Sequence, residues 1–208
     1  MSHVRRSLAA ASVLNTAVFV IEGIAGYRAG SMSLLMDSIH NLSDELALVC
    51  LLLAYTLSVK LSRNLQRFAN LLNSVGLVII STVLIASAID RIRHSSPVLA
   101  LVPAVVGVLA AIGNWCVARV LRDVRNQNPA IRLAYVHNLG DTYVSLVPVL
   151  AGALVWATGL FAFDPIIGIG IALWFIWSTV QEVRSSGEQL LWPEDAVCKH
   201  PTMLTEQQ

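Results

Sequence analysis

The chain has 208 residues, of which 56% are hydrophobic and only 13% charged, with a net charge of +1 and a mean hydropathy of +0.68. Those values lie outside the range of water-soluble domains. The few basic residues are scattered over connections and form no patch, so nothing in the charge calls for a nucleic-acid partner.

A helix that crosses a bilayer needs about 20 mostly apolar residues. Long apolar runs broken by turn residues predict six such spans, at 8–27, 33–57, 69–90, 98–120, 130–158 and 164–184. The first follows Arg5 and Arg6, as a secretory signal would, but it is long enough to span, holds Asn15 and Glu22, and leads directly into another span. Gly26 and Gly30 are read as its close. The second contains the pentapeptide HNLSD, His40 to Asp44, with Asp37 before it and Glu45 after it. A loop, KLSRNLQRF, leads to the third span, which contains Asn73, and Pro97 precedes the fourth. Asn128 and Pro129 form a cap and first turn for the fifth, where HNLGD, His137 to Asp141, repeats the earlier pattern and Pro148 predicts a kink. Asp164 and Pro165 open the sixth.

The expected fold is thus an all-α integral membrane bundle of six transmembrane helices over residues 1–187. Residues 188–208 are expected to be a short, disordered cytoplasmic tail. All the lysines and arginines except Arg28, Arg91 and Arg93 fall on one side if both termini are cytoplasmic, which sets that orientation. Cys50, Cys116 and Cys198 are far apart, with no C-x-x-C pair, which argues against a disulfide framework or a thiolate metal cluster.

Two carboxylates at membrane depth each cost about 2.5–3.5 kcal/mol even on a lenient insertion scale. Each has a histidine four residues earlier, so each helix presents an imidazole and a carboxylate on one face. Both motifs lie near the midplane, on helices that run in opposite directions. His40, Asp44, His137 and Asp141 can therefore converge, and two imidazole nitrogens with two carboxylate oxygens make a tetrahedral set suited to zinc, with cobalt, cadmium or ferrous iron as alternatives. One copy alone is equally well explained as a hydrogen-bonded pair joining helices, but packing does not demand the same residues at the same spacing twice.

Other polar residues have two readings. Asp37 lines an exit vestibule or is an interfacial acid at the start of its helix. Asn41 and Asn138 orient ligands or bridge helices, and Glu22, Asn15 and Asn73 belong to a pathway or to packing. Glu45 points about 100° away from Asp44 and is not taken as a ligand. Cys198 and His200 form a C-x-H pair with no further ligand nearby.

The stretch SMSLLMDSIHNLSDELALV, with Asn15, Glu22 and Gly26 before it, VHNLGDTYVSL in the fifth span and FDPIIGIGIAL in the sixth, resembles the cation diffusion facilitator family. The resemblance covers about residues 8–192, and the paired histidines look like the zinc-preferring pattern. It implies a multi-pass protein of the cell membrane (the inner membrane in a Gram-negative bacterium), usually a homodimer. Such a protein exports zinc or another divalent metal ion from the cytoplasm in exchange for protons. It also implies a cytoplasmic metal-binding domain after the sixth helix, for which residues 187–208 are too few, and this puts in doubt any dimer contact made there. The connection KLSRNLQRF has no acidic or histidine ligands for an accessory site. Two rivals from other classes are a haem-binding redox protein with His40 and His137 as axial ligands, which leaves both aspartates without a purpose, and a metal sensor that does not transport.

Overall fold

A computed structural model of the chain describes residues 2–54, 59–127 and 129–191. These form seven α-helices and one short 3-10 turn: α1 (Ser2–Ala29), α2 (Met32–Ala54), α3 (Val59–His94), α4 (Leu101–Leu121), the turn Arg125–Gln127, α5 (Pro129–Val144), α6 (Leu146–Thr158) and α7 (Phe163–Leu191). The expected residues 192–208 of the tail, including Cys198 and His200, lie outside the described residues, as do Asn128 and the last residues of the second predicted span, while Asn73 lies outside the described side chains.

Five stretches are long and apolar enough to cross a membrane: His3–Ala29, Val75–His94, Leu101–Leu121, Ile131–Thr158 and Phe163–Gln181. With 23 residues, α2 also has the length of a span. It differs from the five in carrying three acids, Asp37, Asp44 and Glu45. The molecule is turned inside out relative to a soluble bundle. Val13, Ile24, Ile79, Val83, Leu109, Ile112, Leu133, Leu150, Trp174 and Trp177 are exposed, whereas Asn15, Glu22, Asp37, Asn41, Asn114, Asp141 and Asp164 are buried. Only a hydrocarbon surround makes that distribution favourable.

Two expectations about the elements need correction. Gly26 does not close the first helix, which runs on to Ala29. The stop is Gly30 at φ +68°, where Ser31 N donates to Gly26 O and Gly30 N to Tyr27 O, the paired bonds that end a helix on a left-handed glycine. The stretch Lys60–Phe68, expected as a loop, is helical and begins α3, consistent with its lack of glycine and proline and its content of leucine, lysine, arginine and glutamine. The fifth span is interrupted at one residue, with α5 ending at Val144 and α6 starting at Leu146, but Ser145 keeps right-handed helical angles and donates to Asp141 O at 2.9 Å, so the break is a kink within one span, as expected. Pro148 accounts for the break, since it has no N–H to donate to Val144 O four residues earlier, and its ring crowds that carbonyl.

α2 lies at the centre and touches every other α-helix; α1 packs on α2 and α4, α5 and α6 pack on α4, and α3 packs on α2 and α7. Two apolar clusters lie against α2. One joins Leu48 and Leu51 to Val4 and Leu8 of α1, Leu121 of α4 and Ile131 of α5, so the starts of α1 and α5 and the end of α4 share one end of the bundle. The other joins Met36 to Leu77 of α3 and Phe175 of α7. His40 and Asp44 fall between them along α2.

Candidate metal centre

His40 is the ninth residue of α2 and His137 the ninth of α5, so each lies about 12 Å from the start of its helix, and each aspartate one turn further on. His40 Nε2 is 3.0 Å from Asp141 Oδ1, and His137 Nε2 is 2.9 Å from Asp44 Oδ1. The first residue of one motif thus meets the last residue of the other, the crossing that oppositely directed helices require. The two remaining distances, His40 Nε2 to Asp44 Oδ2 and His137 Nε2 to Asp141 Oδ2, are 3.7 and 3.8 Å.

One ligand atom from each of the four residues lies within 4.8 Å of every other. Bonds of about 2.0–2.2 Å to a tetrahedral zinc require ligand atoms about 3.3–3.6 Å apart, and the observed separations straddle that interval. Asp44 Oδ2, Asp141 Oδ2 and His40 Nδ1 are buried without a hydrogen-bond partner among the described residues. Two carboxylates that meet only imidazoles have lone pairs left over, and a divalent cation would occupy them. His40, Asp44 and Asp141 are buried, whereas the His137 side chain is 48% exposed, so the cluster opens on the His137 side.

The surroundings fix α2 from two sides. Phe175 of α7 stacks on the His40 ring, with centroids 4.1 Å apart and planes inclined by 14°. On the α1 side, Asn15 donates to Asn41 O at 2.8 Å, Asn41 donates to Glu22 at 2.7 Å, and Ser12 and Asn15 both donate to Glu45. Glu45 therefore faces α1 and not the cluster, as its angle from Asp44 requires. Asn15 and Asn41 bridge helices, while Asn138 turns back to Ala134 O in its own helix. Asp37 packs inside the bundle. It is 1% exposed, with both oxygens unpartnered among the described residues, because Gly30 turns the chain so tightly that α2 starts already packed under α1 and α7.

The sequence gives little warning of the role of Asp164. It lies in the first turn of α7 and is fully buried. It accepts hydrogen bonds from Ser31 Oγ and Ser33 Oγ, both at 2.6 Å, and from Met32 N at the start of α2. The starts of two helices therefore share one carboxylate, which suits the partial positive charge at both ends. The only cue in the sequence is the pair of serines flanking Met32, far from Asp164 along the chain.

The sequence model of the cation efflux transmembrane domain matches residues 8–191. The chain is 32% identical over 206 residues to the zinc transporter ZitB of Escherichia coli (strain K12), covering 91% of this chain and 63% of that protein. It is 29% identical over 185 residues to the cadmium, cobalt and zinc/H(+)-K(+) antiporter of Bacillus subtilis (strain 168), covering 84% and 59% respectively. The chain thus spans about 60% of the length of these curated relatives. With nearly its whole length matched, the chain belongs to the cation efflux, or cation diffusion facilitator, family.

Proposed function

We propose that the protein is a membrane carrier that exports a divalent metal ion, zinc above the others, in exchange for protons, and that His40, Asp44, His137 and Asp141 hold the ion in transit. The observation that carries this reading is the crossed contact of the two motifs, with four ligand atoms within 4.8 Å of one another. The relatives, a zinc transporter and an antiporter of cadmium, cobalt and zinc, favour the same cargo.

Exchange follows from the ligands. Zinc needs neutral imidazole and ionised carboxylate, so metal and protons compete for the same lone pairs. With both aspartates ionised and both histidines neutral, the cluster carries two negative charges, and a poorly hydrated interior favours either a cation or protonation there. Exposing the cluster alternately to the two faces turns that competition into antiport. Exporting zinc for a single proton moves one net charge outward against about 2.3 kcal/mol per 100 mV, so more than one proton per metal eases the cycle. The family resemblance supports two copies working side by side in the cell membrane.

A haem between the histidines is disfavoured. Both Nε2 atoms face carboxylates of the opposite helix, and ring centroids 5.3 Å apart leave little room for a macrocycle. The test is metal-driven proton flux in proteoliposomes containing a pH-sensitive dye, run with zinc, cadmium, cobalt, manganese and iron. Asp44→Ala and Asp141→Ala are each expected to abolish the flux; undiminished flux in either variant removes the four-ligand reading. Metal binding without any flux assigns the protein to sensing instead.

A further inference from the structure

The end of the bundle where α1 and α5 start and α4 stops has a second feature, one that the metal cluster does not use. A cleft of about 350 Å³ opens there between α4, the 3-10 turn and α5, lined by Trp115, Arg119, Arg122, Arg125, Tyr135 and Leu139 among others. None of its lining residues is acidic. The Arg125 guanidinium stands 4.9 Å from the centroid of the Tyr135 ring, a cation–π contact that holds it over the cleft. Arg119 makes a loose pair with Asp123 at 3.8 Å, both side chains being more than half exposed. The Arg122 backbone N–H donates to Ala118 O, and among the described residues no hydrogen bond or ion pair engages its guanidinium.

Three guanidinium groups against one loosely held carboxylate leave the cleft with an excess of about two positive charges. Their planar, forked donors match the oxygens of a phosphate. The other wall is apolar. Trp115 is half exposed and continues into Ile112 one turn earlier on α4, as Leu139 continues into Val136 on α5, and Ile112 and Val136 are both exposed on the surface that faces hydrocarbon. A tryptophan and a tyrosine bordering a group of arginines at the end of an apolar helix mark the level of the lipid headgroups.

The geometry points to a binding site for the phosphate headgroup of an anionic phospholipid between the end of α4 and the start of α5. Arg119, Arg122 and Arg125 face the phosphate, Tyr135 holds Arg125 in position, and Trp115 and, deeper, Leu139 flank an acyl chain. Arginines that merely fix topology need neither a cleft nor a ring beneath one of them. Free inorganic phosphate would satisfy the same arginines, but the apolar wall would then have no use. Basic pockets between membrane helices near the surface are a recurrent way of holding such headgroups.

The test is native mass spectrometry of the full chain, delipidated in detergent and titrated separately with dioleoylphosphatidylglycerol and dioleoylphosphatidylcholine. One phosphatidylglycerol per chain is expected to bind at least tenfold more tightly than phosphatidylcholine. Arg122→Gln should weaken it about fivefold, and the Arg119→Gln, Arg122→Gln, Arg125→Gln triple variant on the order of a hundredfold. Melting in the absence of lipid reports whether each variant folds, and the single variant decides if the triple does not. Equal binding of the two lipids, or wild-type affinity for phosphatidylglycerol in a folded Arg122→Gln protein, overturns the proposal. So does complete displacement of phosphatidylglycerol by millimolar inorganic phosphate, which would assign the cleft to the free anion.

Discussion

Two sets of buried carboxylates occupy the same helical bundle and meet opposite circumstances. Asp164 receives two hydroxyl hydrogens and a backbone N–H where α2 and α7 both begin. Asp44 and Asp141 each contact a histidine through one oxygen and leave the other oxygen buried and unpartnered. A buried charge that is fully hydrogen-bonded holds helices together. One left incomplete beside a second of the same sign suits a cation. The comparison separates an anchor from a site without any appeal to which residues are acidic.

The sharpest way to break that comparison is to remove one carboxylate of each kind. Asp141→Ala or Asp44→Ala should lower zinc affinity by on the order of a hundredfold or more, since a quarter of a bond set worth about 10–16 kcal/mol is lost. The same changes should alter the melting of the metal-free protein far less, because the loss of one imidazole contact is offset by removal of a buried carboxylate whose other oxygen has no partner. Asp164→Ala should do the reverse. Its three donors lose their acceptor, costing about 3–5 kcal/mol of stability in thermal unfolding, while titration calorimetry on the folded fraction should find zinc affinity within a few-fold of wild type. If Asp164→Ala abolishes zinc binding in a folded protein, the two sets are not distinct.

Smaller changes sharpen the contrast. Phe175→Ala frees the His40 ring on its α7 side and should weaken zinc binding about tenfold, as loss of a group that orients a ligand does elsewhere. An unchanged affinity would mean that the ring is held by other contacts. Gly168 lets α7 approach the start of α2, and an added Cβ would meet the Met32 carbonyl carbon and Ser33 N, both at 3.1 Å. Gly168→Ala should therefore cost about 1–2 kcal/mol in unfolding, with little effect on metal affinity.

How much the sequence discloses divides along the same line. The four site residues are readable because each pair sits one helical turn apart in an apolar run, and local periodicity carries that information. The crossed pairing of His40 with Asp141 follows once the spans alternate in direction. Glu45 could be set aside from its angle alone, and its bonds to Ser12 and Asn15 agree. The tie between Asp164 and Ser31 and Ser33 joins residues more than 130 positions apart, so no local pattern encodes it. Phe175 on His40 is equally hidden, since one aromatic in an apolar helix looks like any other. The kink at Pro148 is legible because the missing N–H is a local property, whereas the packing of α4 against both α5 and α6 is not. The start of α3 is hidden because a polar run between apolar spans looks like a loop, although its residues include good helix formers.

The central claim, that one ion is shared by two imidazoles and two carboxylates drawn from oppositely running helices, is tested most directly by zinc K-edge X-ray absorption on the full chain loaded with one equivalent of zinc. Four light-atom neighbours at about 2.0–2.2 Å are expected, with outer-shell scattering from two imidazoles that falls to one in His137→Ala. A sulfur shell near about 2.3 Å, or imidazole scattering unaltered in that variant, would contradict it.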